Sequence, residues 1–235
     1  MARRLALVTG ANRGIGFEIA AALAREGCDL VMTARHGPTL ARAARKIEKL
    51  GVRVLAQTCD VRSPESVDYL FVLVRALRRP LDFLINNAGI AHPNRNVGEL
   101  PYPMWMDVID INLTGMFLTT QAALAVMNRG STIVNNLSIA AERVFPGSAA
   151  YNASKHGALG FTNTLREELR PKGIRVIALM PGATDTDIWK TLWPAAPRRK
   201  MMAAATVART VVDALLLPAN STVEKLVVMP TGGAL

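Results

Sequence analysis

Tyr151 and Lys155 stand four residues apart in a stretch of helical pattern, Tyr151-Asn152-Ala153-Ser154-Lys155. That spacing puts both side chains on one helix face, where an ammonium held under a phenol favours its ionised form. A free phenol titrates near ~10, so proton exchange at neutral pH needs that value lowered by roughly three pH units, about 4 kcal/mol of charge stabilisation. Lys155 supplies part of this. Ser138 closes an apolar run ahead of the pair, and a glycine-rich turn, Thr9-Gly10-Ala11-Asn12-Arg13-Gly14-Ile15-Gly16, lies near the N-terminus.

The elements that must position these residues follow from the alternation of apolar runs with helical patterns, the signature of βα units and a parallel sheet. Strands are expected near Leu5–Thr9, Asp29–Thr33, Val52–Gln57, Leu81–Asn86, Thr132–Leu137, Arg175–Met180 and Lys225–Val228. Helices are expected over Gly14–Glu26, Thr39–Leu50, Pro64–Leu77, Pro103–Met127, Tyr151–Leu169 and Thr206–Leu217. A chain of 235 residues, 50% hydrophobic and 20% charged, suits one α/β domain whose sheet is covered on both faces. The expected architecture is a single doubly wound Rossmann domain over 1–235, with a seven-stranded parallel sheet and a substrate loop over about 187–202. That loop carries Trp189, Trp193, two prolines and a basic triplet, in the place where such folds put a lid.

The glycine turn sits between the first strand and the first helix, the context that a dinucleotide site requires. Gly10 makes the tight turn, Gly14 lets the backbone approach a pyrophosphate, and Gly16 permits close helix packing, with Asn12 and Ile15 completing the cradle. The helix N-terminus offers free N–H groups to anionic oxygens. Dinucleotide sites that bind an unphosphorylated ribose place an acidic residue at the end of the second strand. Here that position reads Ala34-Arg35-His36. With no carboxylate to repel a 2′-phosphate, and with Arg13 and Arg35 placed to pair with it, NADP(H) is favoured over NAD(H). Its cationic nicotinamide ring would add to the stabilisation of the Tyr151 phenolate.

These residues closely resemble the short-chain dehydrogenase/reductase family over nearly the whole chain. Thr9 to Gly16 is similar to its TGxxxGxG turn, Asp60-Val61 to the pair bordering the adenine, and Asn86-Asn87-Ala88-Gly89 to its NNAG segment. Asn112, Ser138, Tyr151 and Lys155 fall in the order of its catalytic tetrad. Pro181-Gly182, followed by Thr184 and Thr186, resembles the PGxxxT element beside the nicotinamide carboxamide. The resemblance implies that Ser138 hydrogen-bonds a substrate carbonyl and that Tyr151 donates a proton to its oxygen as hydride arrives. Lys155 then orients the nicotinamide ribose and lowers the tyrosine pKa, and Asn112 holds a water of a proton relay. No metal is implied.

Within the family the likeness is greatest to ketone-reducing members such as 3-oxoacyl-[acyl-carrier-protein] reductases. Ile139 to Ser148, with Phe145 and Pro146, and the loop with Trp189, Leu192, Trp193 and Met201 would wall an apolar pocket. Arg129, Arg170-Pro171-Lys172 and Arg198-Arg199-Lys200 are candidates for docking an acidic carrier protein. Helices 103–127 and 151–169 are expected to build a homodimer or homotetramer, with 227–235 as a second interface. Two alternatives stand beside this reading: an alcohol, sugar or steroid dehydrogenase working oxidatively, and a non-catalytic NADP-binding regulator. The net charge of +10 is dispersed over helices and aromatics are 5% of residues, which argues against nucleic-acid binding. No apolar run approaches the ~18 residues of a membrane span. Cys28 and Cys59 have no metal-ligand spacing and suit a reducing, cytoplasmic setting.

Overall fold

The computed structural model describes residues 3–218 and 220–233. Seven strands form one parallel sheet: β1 (Leu5–Thr9), β2 (Asp29–Ala34), β3 (Val54–Thr58), β4 (Phe83–Asn86), β5 (Thr132–Asn136), β6 (Arg175–Pro181) and an edge strand, Lys225–Val228. Their order is β3-β2-β1-β4-β5-β6 and then the edge strand, all neighbours parallel. The chain winds outward from β1 to β3, returns to the middle, and winds the other way from β4. The reversal opens a crevice at the carboxyl ends of β1 and β4, where doubly wound sheets bind ligands.

Side-chain alternation along each strand decides which helices cover which face. Ala6, Val8, Leu30 and Met32 point to a layer made by α1 (Gly14–Arg25), α2 (Gly37–Glu48) and a late helix, Ala204–Leu215. Leu5, Leu7 and Val31 point the opposite way. There they meet α3 (Pro64–Ala76), with Leu70, Phe71 and Val74 buried, and Ala123, Leu165 and Leu169 of two later helices.

The stretch 103–127, expected as one helix, is three pieces: α4 (Tyr102–Ile109), a π turn over Asp110–Thr114 and α5 (Gly115–Leu124). The π turn widens the helix where Asn112 reaches Ile90 and Ser154, a local device the 3.6-residue period does not encode. Gly115 lets the helix pass Val61, since a Cβ there would sit 2.6 Å from a Val61 methyl. The catalytic-type pair lies on α6 (Ala149–Leu169).

The expected loop 187–202 is an ordered excursion between two short strands, β7 (Thr184–Asp185) and β8 (Met202–Ala203), which pair in parallel. It contains a helical turn, α7 (Trp189–Leu192), and a 3-10 turn at Arg198–Lys200. The late helix is therefore α8 and the edge strand β9. Of the segment 227–235 assigned to a second interface, residues 234 and 235 lie outside the described residues.

Candidate active site

A cavity of about 660 Å³ occupies the crevice above β1, β4, β5 and β6. At one end the glycine turn closes it. Gly10 (φ +64°) and Gly14 (φ +58°) take left-handed backbone conformations that side chains disfavour. Gly16 has another reason to be glycine: a Cβ would lie 2.3 Å from Asn87 Nδ2 and 2.5 Å from the Gly10 carbonyl oxygen.

Asn87 works as a clamp on this turn. Its Nδ2 donates to the carbonyls of Thr9 (2.9 Å) and Gly10 (3.2 Å), and its Oδ1 accepts from Asn136 Nδ2 (2.8 Å). The Thr9 hydroxyl accepts from the backbone N–H groups of Asn87 and Ala88, both at 2.9 Å. Adjacent Asn86 points to the opposite face, bonding Thr120 and Asn135 beneath the site. Two neighbouring asparagines thus serve two layers, as strand alternation requires. The sequence points to Asn87 as a cofactor contact and signals the clamp only through Thr9, the first residue of the TG pair.

Near the glycine turn the cavity is lined by Asn12, Arg13, Ile15, Arg35, His36, Asp60 and Val61, the residues expected to meet adenosine. His36 caps α2 by accepting from Thr39 N, Asn12 donates to Thr39 Oγ1 (3.0 Å), and the first turn of α2 contains no acid. This corner, with Arg35 at its edge, is built for negative charge. Asp60 is held by Arg62, whose guanidinium reaches both carboxylate oxygens. That contact keeps the Asp60 carboxyl below the usual carboxylate range. Arg13 pairs with Asp187 (3.1 Å), a partner nothing in the sequence announced.

At the other end stand Ser138, Tyr151 and Lys155. Ser138 Oγ accepts from Ala140 N (3.1 Å), capping a short turn that follows β5. One lone pair is thereby used, and the O–H remains free to donate toward the cavity. Tyr151 is half-buried, with Lys155 Nζ 5.6 Å from the centre of its ring. The ammonium itself is buried and donates to the Asn136 carbonyl (3.0 Å). Burial lowers the Lys155 pKa to about 8. The Tyr151 pKa is raised by burial, opposed by the Ser138 hydroxyl. The sequence expectation assigns Lys155 part of the lowering and a cationic nicotinamide more; here the desolvation of the half-buried ring outweighs the hydroxyl, and Lys155 makes its hydrogen bond to Asn136.

Asn112 is fully buried in the π turn and does not line the cavity. Its Oδ1 accepts from Ile90 N (2.8 Å), and its Nδ2 donates to Ile90 O (2.9 Å) and Ser154 Oγ (3.0 Å). Both amide donors are therefore used, and only one lone pair of Oδ1 is left for the water assigned to it. The side chain chiefly staples the segment after Gly89 to α6. Asn136, missed in the sequence, links the Asn87 clamp to Lys155.

Pro181, Gly182, Thr184 and Thr186 form the wall beyond β6. Ile90, Ile139, Phe145, Pro146, Leu192 and Trp193 make the mouth largely apolar. The basic residues proposed for docking separate. Arg129, Arg170 and Lys172 lie at the amino-terminal ends of β5 and β6, opposite the cavity, because parallel strands carry the cavity at their other ends. Arg198, in the loop excursion, pairs with Asp185 of β7.

The doubly wound fold thus carries a cavity with the glycine turn at one end and Ser138, Tyr151 and Lys155 at the other, and known proteins share the family and fold. The short chain dehydrogenase family model matches residues 4–197. A putative ketoacyl reductase of Streptomyces coelicolor is 40% identical over 187 residues, 77% of this chain and 71% of the relative. A 3-oxoacyl-[acyl-carrier-protein] reductase of Synechocystis is 37% identical over 192 residues, 80% of this chain and 77% of the relative. The solved structure of an alcohol dehydrogenase from the archaeon Thermococcus sibiricus, complexed with 5-hydroxy-NADP, superposes with a TM-score of 0.91 at 30% identity, covering 98% of this chain and 97% of that one. The chain belongs to the short-chain dehydrogenase/reductase family. It is an oxidoreductase acting on carbonyl or alcohol groups. Among the described residues no helix is long and apolar enough to cross a membrane.

Proposed function

We propose that the protein reduces a ketone with an apolar substituent to a secondary alcohol, using NADPH. The observation that carries this is the convergence of a Ser138 O–H free to donate, the Tyr151 phenol and a buried Lys155 ammonium at one end of the cavity. The phosphate cradle closes the other end.

The cradle fits a dinucleotide. Gly10 and Gly14 are φ-positive, the first turn of α1 contains no acid, and the second strand ends without a carboxylate. When bound, the cofactor supplies hydride. The chain's own residues do the rest. Gly10, Gly14 and the α1 N-terminus hold the pyrophosphate, and Arg13, Arg35 and His36 face the 2′-phosphate. Asp60 and Val61 border the adenine, while Ala88, Gly89, Pro181, Gly182, Thr184 and Thr186 bound the nicotinamide end. Ser138 donates to the carbonyl oxygen and Tyr151 delivers its phenolic proton to that same oxygen. A Tyr151 pKa held up by burial keeps that proton on the phenol before reaction, which suits a donor. Lys155 places positive charge under the phenolate left behind and reaches the ribose.

The apolar mouth, with the likeness to ketoacyl reductases, supports an acyl or similarly hydrophobic ketone, free or carried by an acyl-carrier protein. The half-exposed Phe117 on α5, in edge contact with Phe161 on α6 (6.2 Å), supports assembly through those helices into a homodimer or homotetramer. Cofactor choice is tested by fluorescence titration of NADPH and NADH at fixed salt. NADPH is expected to bind at least tenfold more tightly, about 1.4 kcal/mol; equal binding would refute the assignment of Arg13 and Arg35.

A further inference from the structure

Arg13 belongs to the glycine turn, yet its guanidinium is engaged by a residue from the far end of the chain. Asp187 Oδ2 accepts from Arg13 Nη1 at 3.1 Å, and Asp187 Oδ1 pairs with Lys190 at 2.6 Å. Among the described residues the Arg13 guanidinium has no other hydrogen-bond partner. Asp187 opens the excursion 187–202, and the preceding residue rests on the same turn: a Cβ added to Gly14 would lie 3.4 Å from the Thr186 methyl. The carboxylate therefore sits beside the phosphate cradle, where a dinucleotide's own negative charge must come.

An ion pair this open is a weak one, since 68% of the Arg13 side chain and 36% of that of Asp187 are exposed. A phosphate carries more charge and more acceptors than a carboxylate and forms the stronger charge-assisted bonds to a guanidinium. Asp187 keeps Lys190 when Arg13 leaves, so the exchange strands no charge.

Resting on the reading of Arg13 as a 2′-phosphate contact, we propose that Asp187 is a specificity-determining residue for the cofactor. It occupies Arg13 in place of the 2′-phosphate, and it ties the substrate loop to the glycine turn until a 2′-phosphorylated nucleotide takes Arg13 over. The loop then answers to the phosphate that distinguishes NADPH from NADH.

The loop carries its own reporters. Trp189 donates to the Thr184 carbonyl (2.8 Å) and meets Trp193 edge-on at 6.5 Å, while the third tryptophan, Trp105, lies on α4 as a constant background. The experiment combines acrylamide quenching of tryptophan in the ligand-free protein with NADPH and NADH titrations of wild type, Asp187→Asn, Arg13→Gln and the double variant. In wild type, adenosine 2′,5′-bisphosphate is expected to raise quenching and ADP is not. Asp187→Asn should quench more strongly without ligand and bind NADPH about two- to fivefold more tightly, the factor that an exposed ion pair of under about 1 kcal/mol converts to. NADH binding should change less, and Asp187→Asn should add nothing in the Arg13→Gln background.

Equal tightening of NADPH and NADH, or the same gain without Arg13, would reduce Asp187 to a general repulsive charge and overturn the proposal. Unchanged quenching in ligand-free Asp187→Asn would overturn the loop contact. If Arg13→Gln leaves the NADPH-to-NADH ratio at its wild-type value, the 2′-phosphate reading fails as well. If it lowers the ratio while Asp187→Asn has no effect, only the competition fails.

Discussion

Gly16→Ala tests whether the glycine turn is held by packing or by backbone conformation. In helix α1 an alanine would ordinarily stabilise by up to about 1 kcal/mol. Here its methyl would meet Asn87 Nδ2 at 2.3 Å and the Gly10 carbonyl oxygen at 2.5 Å, each about 1 Å inside ordinary contact. The Asn87 side chain is no flexible end that can swing aside: two donor bonds and one acceptor bond fix it. Releasing them forfeits about 1 kcal/mol each, or roughly 3 in all. Shifting the Gly10 carbonyl adds an overpacking cost of about 1–3 kcal/mol. Less the propensity gain, the net loss is about 3–5 kcal/mol, a large share of the roughly 5–15 kcal/mol that holds a domain together. At about 2–4 °C per kcal/mol for a chain of this size, the melting temperature should fall by roughly 10 °C. Gly14→Ala faces only its φ of +58° and an ordinary contact with Thr186, so its cost is about 1–2 kcal/mol. Urea unfolding of both variants, followed by NADPH titration, gives the comparison. If Gly16→Ala matched wild type in midpoint and affinity, or cost no more than Gly14→Ala, the Asn87 clamp would not be what fixes the turn.

The pH dependence of stability reports on Lys155, whose pKa burial lowers to about 8. Between pH 8 and 10.5 the unfolded chain keeps a proton that the native chain has released, so this group's contribution to stability rises with pH across that window. Urea midpoints at pH 7.5 and 10 should show the rise in wild type relative to Lys155→Met; parallel profiles would place Lys155 in solvent. For assembly, light scattering should give a dimer or tetramer at micromolar concentration, and Phe117→Asp should shift it toward monomer; a wild-type monomer would contradict the interface.

Most of the fold was legible because it rests on periodicity. Leu5 to Val8 reads as a buried strand, and the βα alternation around it dictates the layers. What the sequence concealed is local. The π turn at Asp110–Thr114 breaks a stretch that reads as one helix, because apolar side chains on every face of the following helix leave no stripe to mark the extra residue. Asn112 was placed at the site by resemblance, but its role as a staple depends on hydrogen bonds to Ile90 and Ser154 across 22 and 42 residues. The pairing of Arg13 with Asp187 was not legible, because 174 residues separate them and no pattern links the two. That Arg129, Arg170 and Lys172 lie away from the cavity was not legible until the topology was known: residues that precede a parallel strand lie at the end opposite the crevice.

The proposed role of Tyr151 as proton donor is tested most directly by one substitution. Tyr151→Phe removes a single oxygen and keeps the ring beside Lys155. With a ketone that the wild-type protein turns over, single-turnover oxidation of NADPH should slow by about 10²–10⁴-fold, the range of a lost general acid, while the NADPH dissociation constant stays within about twofold, under ~0.5 kcal/mol. A variant that reduced the ketone at the wild-type rate would contradict the account.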